Sequence, residues 1–358
     1  MKKIKKLFVF DKINIVDRIR ILEKRDLNKG IRLNRNERVE DFPKGLLSKI
    51  FKKVKKYDLG KYPDQSLIYE YLSKYLKINK EKILLSSGID GSLKSIFEIF
   101  LKPGDRVAYL SPSYAMYAVY SKIYNINLLS VPYDNNFKLD KTKLINIIKR
   151  GIKVLFIPNP NQPIEDNLDL KELTSLAKIC KVHKVLMVVD EAYHMYGAES
   201  AQSLINKFEN LIVLRTLSKS FGLPSIRLGF ILSNKKIIKI FDTFRLSYES
   251  NFLVDHVAIY FLKNIQIVKN YILKVKNGRD FIKSELKKIN VKVIGGASNY
   301  LLVIFKDEKT YKKIYKILSL KKIYVKGGYN GKLKNGILFT CGPKIIMKKL
   351  LNIVKKNI

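Results

Sequence analysis

Cysteine is scarce in this chain, and its scarcity excludes two ways of holding a fold together. The 358 residues include only Cys180 and Cys341, which lie in apolar runs and show no CxxC spacing. The pattern therefore indicates neither a disulfide framework nor a structural zinc site. We expect no bound metal, and free thiols agree with a reducing cytoplasm.

Long hydrophobic runs are lacking as well. No stretch approaches the ~20 apolar residues that cross a bilayer. The N-terminus is rich in lysine, but its apolar stretch 7–10 is interrupted by Asp11 and lacks a small-residue cleavage site. We expect a soluble, cytoplasmic protein with no signal peptide and no membrane partner.

Acidic residues are few compared with basic ones. The chain has 70 lysines and arginines against 31 aspartates and glutamates, a formal net charge of +39. Such a charge is compatible with nucleic acid, a membrane surface or anionic substrates. The lysines are spread along the whole chain, and no RNP, zinc-finger or Arg-rich block accompanies them. We interpret the charge as a compositional bias on a solvated surface and expect no nucleic-acid partner.

Short β-rich apolar runs alternate with longer helical patterns as far as residue 232. This alternation is typical of βαβ units around a mainly parallel sheet. It predicts seven strands, at 83–86, 106–110, 127–131, 154–157, 185–189, 211–215 and 228–232. The helices predicted between them include 92–100, 114–124, 141–149 and 171–183.

The pattern changes after Arg245. A long helical stretch at 250–288 precedes strands at 291–294, 300–305, 323–326 and 337–340. Single cores stop growing near ~250–300 residues, so the chain has room for two domains. We predict an α/β fold with a large domain over 46–250. A smaller α+β domain is predicted from 251–358 together with the N-terminal arm 1–45.

Two segments carry residues suited to chemistry. The apolar run at 188–190 ends in Asp190, and ligands of open α/β sheets bind where strands end. Lys219 lies in a loop rich in hydroxyls and glycine, and a lysine that forms a Schiff base needs a desolvated pocket to lower its pKa. Ser218 and Arg227 supply donors for a phosphate. Alone, each segment is a weak signal, because strand-end aspartates serve many roles and most lysines are surface residues.

Together these segments resemble the fold-type I pyridoxal phosphate (PLP) enzymes, and most closely the histidinol-phosphate aminotransferase branch. The family's T-L-S-K-x-F-G-L-x-x-x-R-L-G is matched at residues 216–229. The resemblance implies that 46–250 binds PLP and that Lys219 holds it as a Schiff base and moves the substrate proton. It implies that Asp190 keeps the pyridinium nitrogen protonated, which makes the ring an electron sink, and that Tyr193 hydrogen-bonds the ring hydroxyl O3′.

Further segments resemble family motifs and follow in the family's order. Residues 87–92 lie between a strand and a helix, where backbone N–H groups and the helix dipole cradle an anion. Tyr114 resembles the aromatic residue that stacks on the ring. Tyr62, in K-Y-P-D, resembles the tyrosine that reaches the phosphate in the neighbouring subunit, which implies a homodimer with shared active sites. Besides Lys219, Asp190 and Tyr193, the predicted cofactor-binding residues are Tyr62, Gly88, Ile89, Asp90, Tyr114, Gln162, Thr216, Ser218 and Arg227.

The family's N-P-x-N-P-T-G reads N-P-N-Q-P-I-E here, at 159–165. Gln162 presents an amide one methylene longer than the family's asparagine, and we expect it to take that role, with Asn161 as the alternative. The following proline is compatible with a cis peptide bond. This variant resembles aminotransferase-like proteins of bacterial surface-polysaccharide or capsule pathways, which implies amino-alcohol or amino-sugar phosphate precursors.

A second departure concerns the substrate. The family's L-R-I-T-x-G, whose arginine grips a carboxylate, has Leu338 in the arginine position. The isobutyl group of leucine cannot make the paired hydrogen bonds that a guanidinium makes to a carboxylate. Recognition of a carboxylate is therefore absent or depends on another residue. The cations in segments that border the family's substrate site are Arg35, Arg38, Lys326 and Lys334. From the segment L-N-R-N-E and this set we predict that Arg35, Asn36 and Lys326 bind the substrate.

These residues predict a PLP-dependent aminotransferase that acts on a small phosphorylated ketone or amino alcohol. The alternative is a decarboxylase of a phosphorylated amino acid such as O-phosphoserine, because a scissile carboxylate should not be pinned by an ion pair. An inactive homologue is disfavoured, since nearly every cofactor position survives. His194 follows the cofactor motif, but strand alternation turns it away from Tyr193 and favours a structural role.

Overall fold

The computed structural model describes residues 30–358, so residues 1–29 of the predicted N-terminal arm lie outside the described residues. The strands are β1 (Ile31–Arg32), β2 (Ile83–Ser87), β3 (Arg106–Ser111), β4 (Asn127–Pro132), β5 (Val154–Pro158), β6 (Leu186–Asp190), β7 (Leu211–Thr216), β8 (Leu228–Ser233), β9 (Lys292–Ile294), β10 (Tyr300–Ile304), β11 (Ile323–Tyr324) and β12 (Gly336–Thr340). The α-helices are α1 (Leu46–Phe51), α2 (Ser66–Leu76), α3 (Gly88–Phe100), α4 (Met116–Ile123), α5 (Lys141–Lys149), α6 (Leu170–Val182), α7 (Lys235–Phe244), α8 (Phe252–Lys263), α9 (Ile265–Lys288), α10 (Glu308–Leu320) and α11 (Lys344–Lys355). Within the described range, no helix has the length and apolar character needed to cross a bilayer.

Seven of the strands form one sheet, in the order β2-β8-β7-β6-β5-β3-β4. Neighbouring strands run parallel except β8, which is antiparallel to both β2 and β7. This topology confirms the predicted α/β fold with a mainly parallel seven-stranded sheet. The C-terminal ends of β5, β6 and β7 therefore lie side by side at one edge of the sheet.

Each strand of this sheet ends one residue later than the apolar pattern predicts. The last residues are Ser87, Ser111, Pro132, Pro158, Asp190, Thr216 and Ser233. Polar residues and prolines end an apolar run, but backbone pairing continues through them, as in the pair Pro158 and Asp190. Asp190 and Thr216 are consequently held by the sheet and not by the loops that follow.

Helices cover both faces of the sheet, which explains why its central strands are mostly apolar. Every residue of β5, β7 and β8 is buried. Successive side chains of a strand point to opposite faces. Phe156 accordingly packs on the face covered by α3, α4 and α7, while Leu155 and Ile157 pack on the face covered by α5 and α6.

The predicted helical stretch at 250–288 is two helices, because the chain turns at Asn264 between α8 and α9. Asn264 leaves the helical conformation, and its side-chain amide donates to the Tyr260 carbonyl at 2.8 Å. Beyond α9, strands β9, β10 and β12 form an antiparallel sheet, and β1 pairs in parallel with β11. The domain boundaries near residues 46 and 250 stay a prediction.

A glycine contact holds α9 against the backbone that follows β12. Gly278 lies inside α9, where glycine costs roughly 1 kcal/mol relative to alanine. A Cβ atom at Gly278 would lie 1.9 Å from the carbonyl oxygen of Gly342. The helix reaches this backbone only because the side chain is absent. The contact fixes α9 beside the strand that carries Leu338.

We predict that Gly278→Ala destabilises the protein by about 2 kcal/mol, since the new methyl group forces the helix away from Gly342. The matched control is Gly91→Ala in α3, where the nearest atom to a new Cβ is 3.4 Å away. That variant should gain roughly 0.5–1 kcal/mol from helix propensity. Urea unfolding of both apoproteins measures the difference, and a Gly278→Ala protein as stable as the parent would contradict the contact.

Candidate active site

A cavity of about 610 Å³ opens at the C-terminal ends of β5, β6 and β7, the edge at which α/β sheets bind ligands. The predicted site residues that line it are Arg35, Ile89, Asp90, Tyr114, Gln162, Asp190, Tyr193, Thr216, Ser218, Lys219, Arg227 and Lys326. Gly88, Asn36 and Tyr62 lie outside its lining. A second cavity, of about 530 Å³ beside β4 and α5, is lined by none of the predicted site residues within 30–358.

Asp190 brings a carboxylate into the floor of the cavity. It is the last residue of β6 and is 4% exposed. Its Oδ2 accepts a hydrogen bond from the Tyr117 hydroxyl at 2.7 Å, and its Oδ1 accepts one from the Ala192 N–H at 3.0 Å. Burial nevertheless raises the pKa of Asp190 to about 6. The site therefore holds an anion that a bound cation would stabilise.

Lys219 supplies an amine whose charge is disfavoured. Its Nζ donates to the backbone carbonyls of Arg35 and Asn36, at 3.1 Å and 3.2 Å. Burial lowers the pKa of Lys219 to about 8. The preceding turn is closed by the Ser218 N–H, which donates to the Thr216 hydroxyl at 3.1 Å. A substantial fraction of the amine is therefore neutral, and nucleophilic, at mildly alkaline pH.

The N-terminus of α3 forms a cradle for an anion. Gly88 adopts a φ of +66°, and a Cβ there would lie 2.8 Å from the Arg227 guanidinium. A Cβ at Gly229 would lie 2.7 Å from the Gly88 backbone. Asp90 holds the rim, because it accepts from the Tyr114 hydroxyl at 2.8 Å and from Arg227 at 3.5 Å. The two glycines let the guanidinium and the helix N-terminus meet at one point.

These three groups fit pyridoxal phosphate. The buried carboxylate of Asp190 suits a protonated ring nitrogen, and the desolvated amine of Lys219 suits an aldehyde. The α3 N-terminus with Arg227 suits a phosphate. When bound, the cofactor supplies an electron sink for a bond broken at the substrate's reacting carbon. The individual roles of these residues stay predictions.

Gln162, and not Asn161, faces the cavity. The Tyr193 hydroxyl donates to Gln162 Oε1 at 2.6 Å, and the bond between Gln162 and Pro163 is cis. Asn161 is buried, and its amide donates to the carbonyls of Pro112 and Ile164. The longer amide at position 162 is thus the one that contacts the predicted O3′ partner.

Asn36 lies outside the cavity lining and contacts Tyr193. Its side chain is 2% exposed and donates to the Tyr193 hydroxyl at 2.8 Å. Its backbone N–H donates to the Thr340 hydroxyl at 2.9 Å. These bonds show that Asn36 holds the Tyr193 hydroxyl, and its predicted contact with the substrate stays a prediction.

The candidate cations separate into two pairs. Arg35 and Lys326 line the cavity. Arg38 lies elsewhere, because its guanidinium stacks on Tyr271 at 4.0 Å and pairs with Glu40 at 3.3 Å; Lys334 also lies outside the cavity lining. Leu338 is fully buried, and its backbone bridges that of Lys326.

Two predicted residues lie apart from this cavity. His194 Nδ1 is 3.9 Å from the Glu191 carboxylate, and burial lowers the pKa of His194 to about 3, as expected of a structural histidine. Tyr62 is 82% exposed and stacks on Tyr248, with ring centroids 4.9 Å apart. Its predicted contact with a neighbouring subunit stays a prediction.

Sequence reasoning missed Tyr117, Asn34 and Tyr329, which line the cavity, and two residues outside its lining, Thr340 and Glu165. Tyr117 follows Tyr114 by one helical turn, a spacing that could have indicated it. Thr340 lies in the T-x-G of the substrate motif. Glu165 replaces the family's glycine and accepts hydrogen bonds from the Ala297 N–H and the Ser298 hydroxyl, at 2.5 Å and 2.6 Å. It ties the loop that carries Gln162 to the C-terminal part of the chain.

One cavity of this fold brings together an amine, a buried carboxylate and a helix N-terminus suited to an anion. This combination defines a PLP-dependent transferase of fold type I. The model of the family aminotransferase class I and II matches residues 47–348, and the chain belongs to this family. It is accordingly a PLP-dependent aminotransferase.

The chain is similar to several proteins named histidinol-phosphate aminotransferase. The one from Buchnera aphidicola subsp. Cinara cedri is 34% identical over 313 residues, covering 83% of this chain and 85% of that protein. The one from Caldanaerobacter subterraneus subsp. tengcongensis is 30% identical over 311 residues, covering 86% and 87%. The solved structure of histidinol-phosphate aminotransferase from Sinorhizobium meliloti, in complex with pyridoxal-5'-phosphate, superposes with a TM-score of 0.82 over 91% of each chain. At 22% identity, this last likeness shows the fold.

We predict that Asp190→Asn makes the apoprotein more stable at pH 7, by up to about 3 kcal/mol, because the raised pKa is an energetic cost of burying the charge. As pH falls from about 6 towards 3.8, the ordinary pKa of aspartate, Asp190 in the folded parent becomes protonated and the cost of its buried charge is lost. The difference between the two proteins should therefore vanish near pH 4. Urea unfolding at several pH values measures it, and the same variant should bind PLP more weakly.

The control is Asp255→Asn. Asp255 is 5% exposed, lies outside the cavity lining, and has a pKa raised by burial to about 6. This variant should show a similar gain in stability with unchanged PLP binding. Equal losses of PLP binding in both variants would mean that Asp190 acts only through the general charge of the fold.

Proposed function

We propose that this aminotransferase acts on a small phosphorylated ketone or amino alcohol that carries no carboxylate on its reacting carbon. The observation that carries the proposal is the buried Leu338, which stands where the family has a carboxylate-binding arginine. An aliphatic side chain in the core offers no donor to a carboxylate. The cavity therefore selects a substrate whose anionic group lies elsewhere.

Two cations at the cavity wall supply a place for that anionic group. Both Arg35 and Lys326 are exposed at the cavity. Partial burial lowers the pKa of Lys326, whose Nζ lies 5.8 Å from the Tyr329 ring centroid. Charge-assisted bonds from such groups to phosphate are stronger than neutral ones. Because Arg227 belongs to the cofactor cradle, Arg35 and Lys326 remain to bind a second phosphate.

The similar proteins support a phosphorylated substrate. Their name, histidinol-phosphate aminotransferase, designates an amino alcohol that carries a phosphate. A role in surface-polysaccharide synthesis and a cytoplasmic location stay predictions. The buried free thiols of Cys180 and Cys341 are compatible with a reducing compartment.

The residues of the site divide the reaction among them. With the cofactor bound, the neutral amine of Lys219 would move the proton from the substrate's reacting carbon to the cofactor's C4′. The carboxylate of Asp190 would hold the proton on the ring nitrogen and keep the ring electron-poor. Tyr193, held by Gln162 and Asn36, would bind the ring hydroxyl. Tyr114 would contribute an aromatic side chain beside the ring.

A second candidate function has a specific observation in its favour. Without an arginine at position 338, the carboxylate of a phosphorylated amino acid is free to stand perpendicular to the ring, where it is lost as carbon dioxide. O-phosphoserine would still bind through its phosphate to Arg35 and Lys326. Decarboxylation would then proceed without a keto acid.

We predict that a phosphorylated amino alcohol, 2-amino-3-hydroxypropyl phosphate, converts the loaded enzyme to the amine form of the cofactor at least tenfold faster than its unphosphorylated parent. Absorption spectroscopy in single turnover follows the conversion, with Lys219→Ala as the inactive reference. Lys326→Ala should raise KM for the phosphorylated compound about tenfold. Lys334→Ala, a lysine outside the cavity lining, is the matched control.

Three results would decide against this function. Equal rates for the phosphorylated and unphosphorylated amines would exclude the phosphate site. Carbon dioxide release from O-phosphoserine without a keto acid would establish the decarboxylase. Glutamate belongs in the panel as an amino donor, and a preference for glutamate that Lys326→Ala leaves unchanged would mean that a carboxylate is bound elsewhere.

We also propose that two copies of the chain form the working enzyme. Large apolar side chains are exposed in two segments that meet where Tyr62 stacks on Tyr248. They are Leu47, Phe51, Leu59, Tyr62 and Leu67 in the first segment, and Phe244, Leu246, Tyr248 and Leu253 in the second. A concentration of exposed apolar side chains in two contacting segments is typical of a protein interface. The family resemblance assigns Tyr62 to the partner's cofactor phosphate.

We predict that the parent protein sediments as a dimer and that Leu246→Lys shifts it to monomer, because the new charge is desolvated at the interface. Retention of PLP should weaken about tenfold with it, since Tyr62 leaves the site. Leu320→Lys is the control: Leu320 is 72% exposed, close to the 75% of Leu246, but lies on α10. A parent protein that sediments as a monomer would overturn the proposed dimer.

A further inference from the structure

The cavity wall contains two polar atoms that nothing in the described part of the chain satisfies. Asn34 Oδ1 and the Tyr329 hydroxyl are shielded from solvent and have no hydrogen-bond partner among residues 30–358. Both residues line the cavity. A buried polar atom left unpaired costs about 1–3 kcal/mol. Unpaired atoms in a cavity wall therefore indicate the atoms of a ligand that belongs there.

Both residues lie in segments that contact the strand with Leu338 at the family's arginine position. Asn34 follows Leu33, whose carbonyl accepts from the Thr340 N–H at 2.7 Å. Tyr329 lies three residues after Lys326, whose backbone bridges Leu338. The two segments thus approach β12 at Leu338 and Thr340.

Tyr329 is a hydrogen-bond donor in this cavity. Burial raises the pKa of Tyr329 above its ordinary value, so the phenol stays protonated. Tyr193 lines the same cavity.

The chemistry of the two atoms selects one kind of group. Asn34 Oδ1 only accepts, while a phenol hydroxyl donates and accepts. A substrate hydroxyl satisfies both, since it donates to Asn34 and accepts from Tyr329. A carboxylate would accept from Tyr329 but would turn its lone pairs towards Asn34 Oδ1. A methyl group would leave both atoms unpaired.

We propose that Asn34 and Tyr329 form a subsite for an alcohol group attached next to the reacting carbon of the substrate. This subsite rests on the proposed function and names its substrate class, an amino alcohol or hydroxyketone with a phosphate on a separate arm. Lys326 lies beside Tyr329 and receives the phosphate. The alcohol takes the place in which the family holds a carboxylate.

The test compares three substrates that differ at one group: 2-amino-3-hydroxypropyl phosphate, 2-aminopropyl phosphate and O-phosphoserine. They present a hydroxymethyl, a methyl and a carboxylate to the subsite. In the parent holoenzyme, kcat/KM for the hydroxymethyl compound should exceed that for the methyl compound by about tenfold to a hundredfold. Competitive inhibition by 3-hydroxypropyl phosphate and by propyl phosphate gives the same comparison without turnover.

Two variants assign the preference to these side chains. Tyr329→Phe keeps the ring and should reduce the hydroxyl preference to about threefold or less. Asn34→Ala should do the same, while Asn34→Asp, which still accepts, should retain the preference. Tyr271→Phe is the matched control, because its buried hydroxyl also has no partner among the described residues and its ring packs against Arg38, away from the cavity. That control should keep the full preference.

The outcomes separate the subsite from the function on which it rests. Equal kcat/KM for the hydroxymethyl and methyl compounds in the parent would overturn the subsite and leave the phosphorylated substrate standing. Faster transamination of O-phosphoserine would overturn the alcohol subsite in favour of a carboxylate. If none of the three reacts, the proposed function fails. The two inhibitors then still decide, since equal inhibition constants reject the subsite and a preference for 3-hydroxypropyl phosphate retains it.

Discussion

A carboxylate buried at the end of a sheet strand is the constraint on which the rest of the site depends. Asp190 is fixed by the pairing of β6 with β5 and β7, so its charge cannot move to water. Two hydrogen bonds reduce the cost of that charge without removing it, as the pKa of about 6 shows. The apolar surroundings also lower the pKa of Lys219. One desolvated environment thus prepares an acid and an amine for the same ligand.

The fold could be predicted almost completely, because alternating apolar periods report burial directly. The strand ends could not, since Asp190 and Thr216 break the apolar pattern while their backbones stay paired. Within the site, the residue types of Lys219 and Arg227 indicated that both side chains lie at the cavity. The bond from Asn36 to the Tyr193 hydroxyl could not be predicted, because the two residues lie far apart in the sequence and only the fold brings them together.

The exchange of an arginine for Leu338 changes the kind of recognition that the cavity offers. A guanidinium binds a carboxylate through charge, which tolerates small differences in shape. Neutral partners such as Asn34 and Tyr329 discriminate through the penalty for leaving a buried atom unpaired. In the proposed complex, Arg35 and Lys326 bind the phosphate on its separate arm. The proposal thus makes selectivity depend on hydrogen-bond geometry at the alcohol group and on charge at the phosphate.

The Lys219 amine donates hydrogen bonds to the carbonyls of Arg35 and Asn36, so two of its N–H donors are in use. A protonated lysine amine carries three N–H donors. If its nitrogen were joined to an aldehyde carbon, at most one donor would remain, so at least one of the two carbonyls would have to exchange its partner. Both carbonyls belong to the segment that carries Asn34. Loading of the cofactor would thereby be linked to the conformation of this segment, and such linkage is reciprocal.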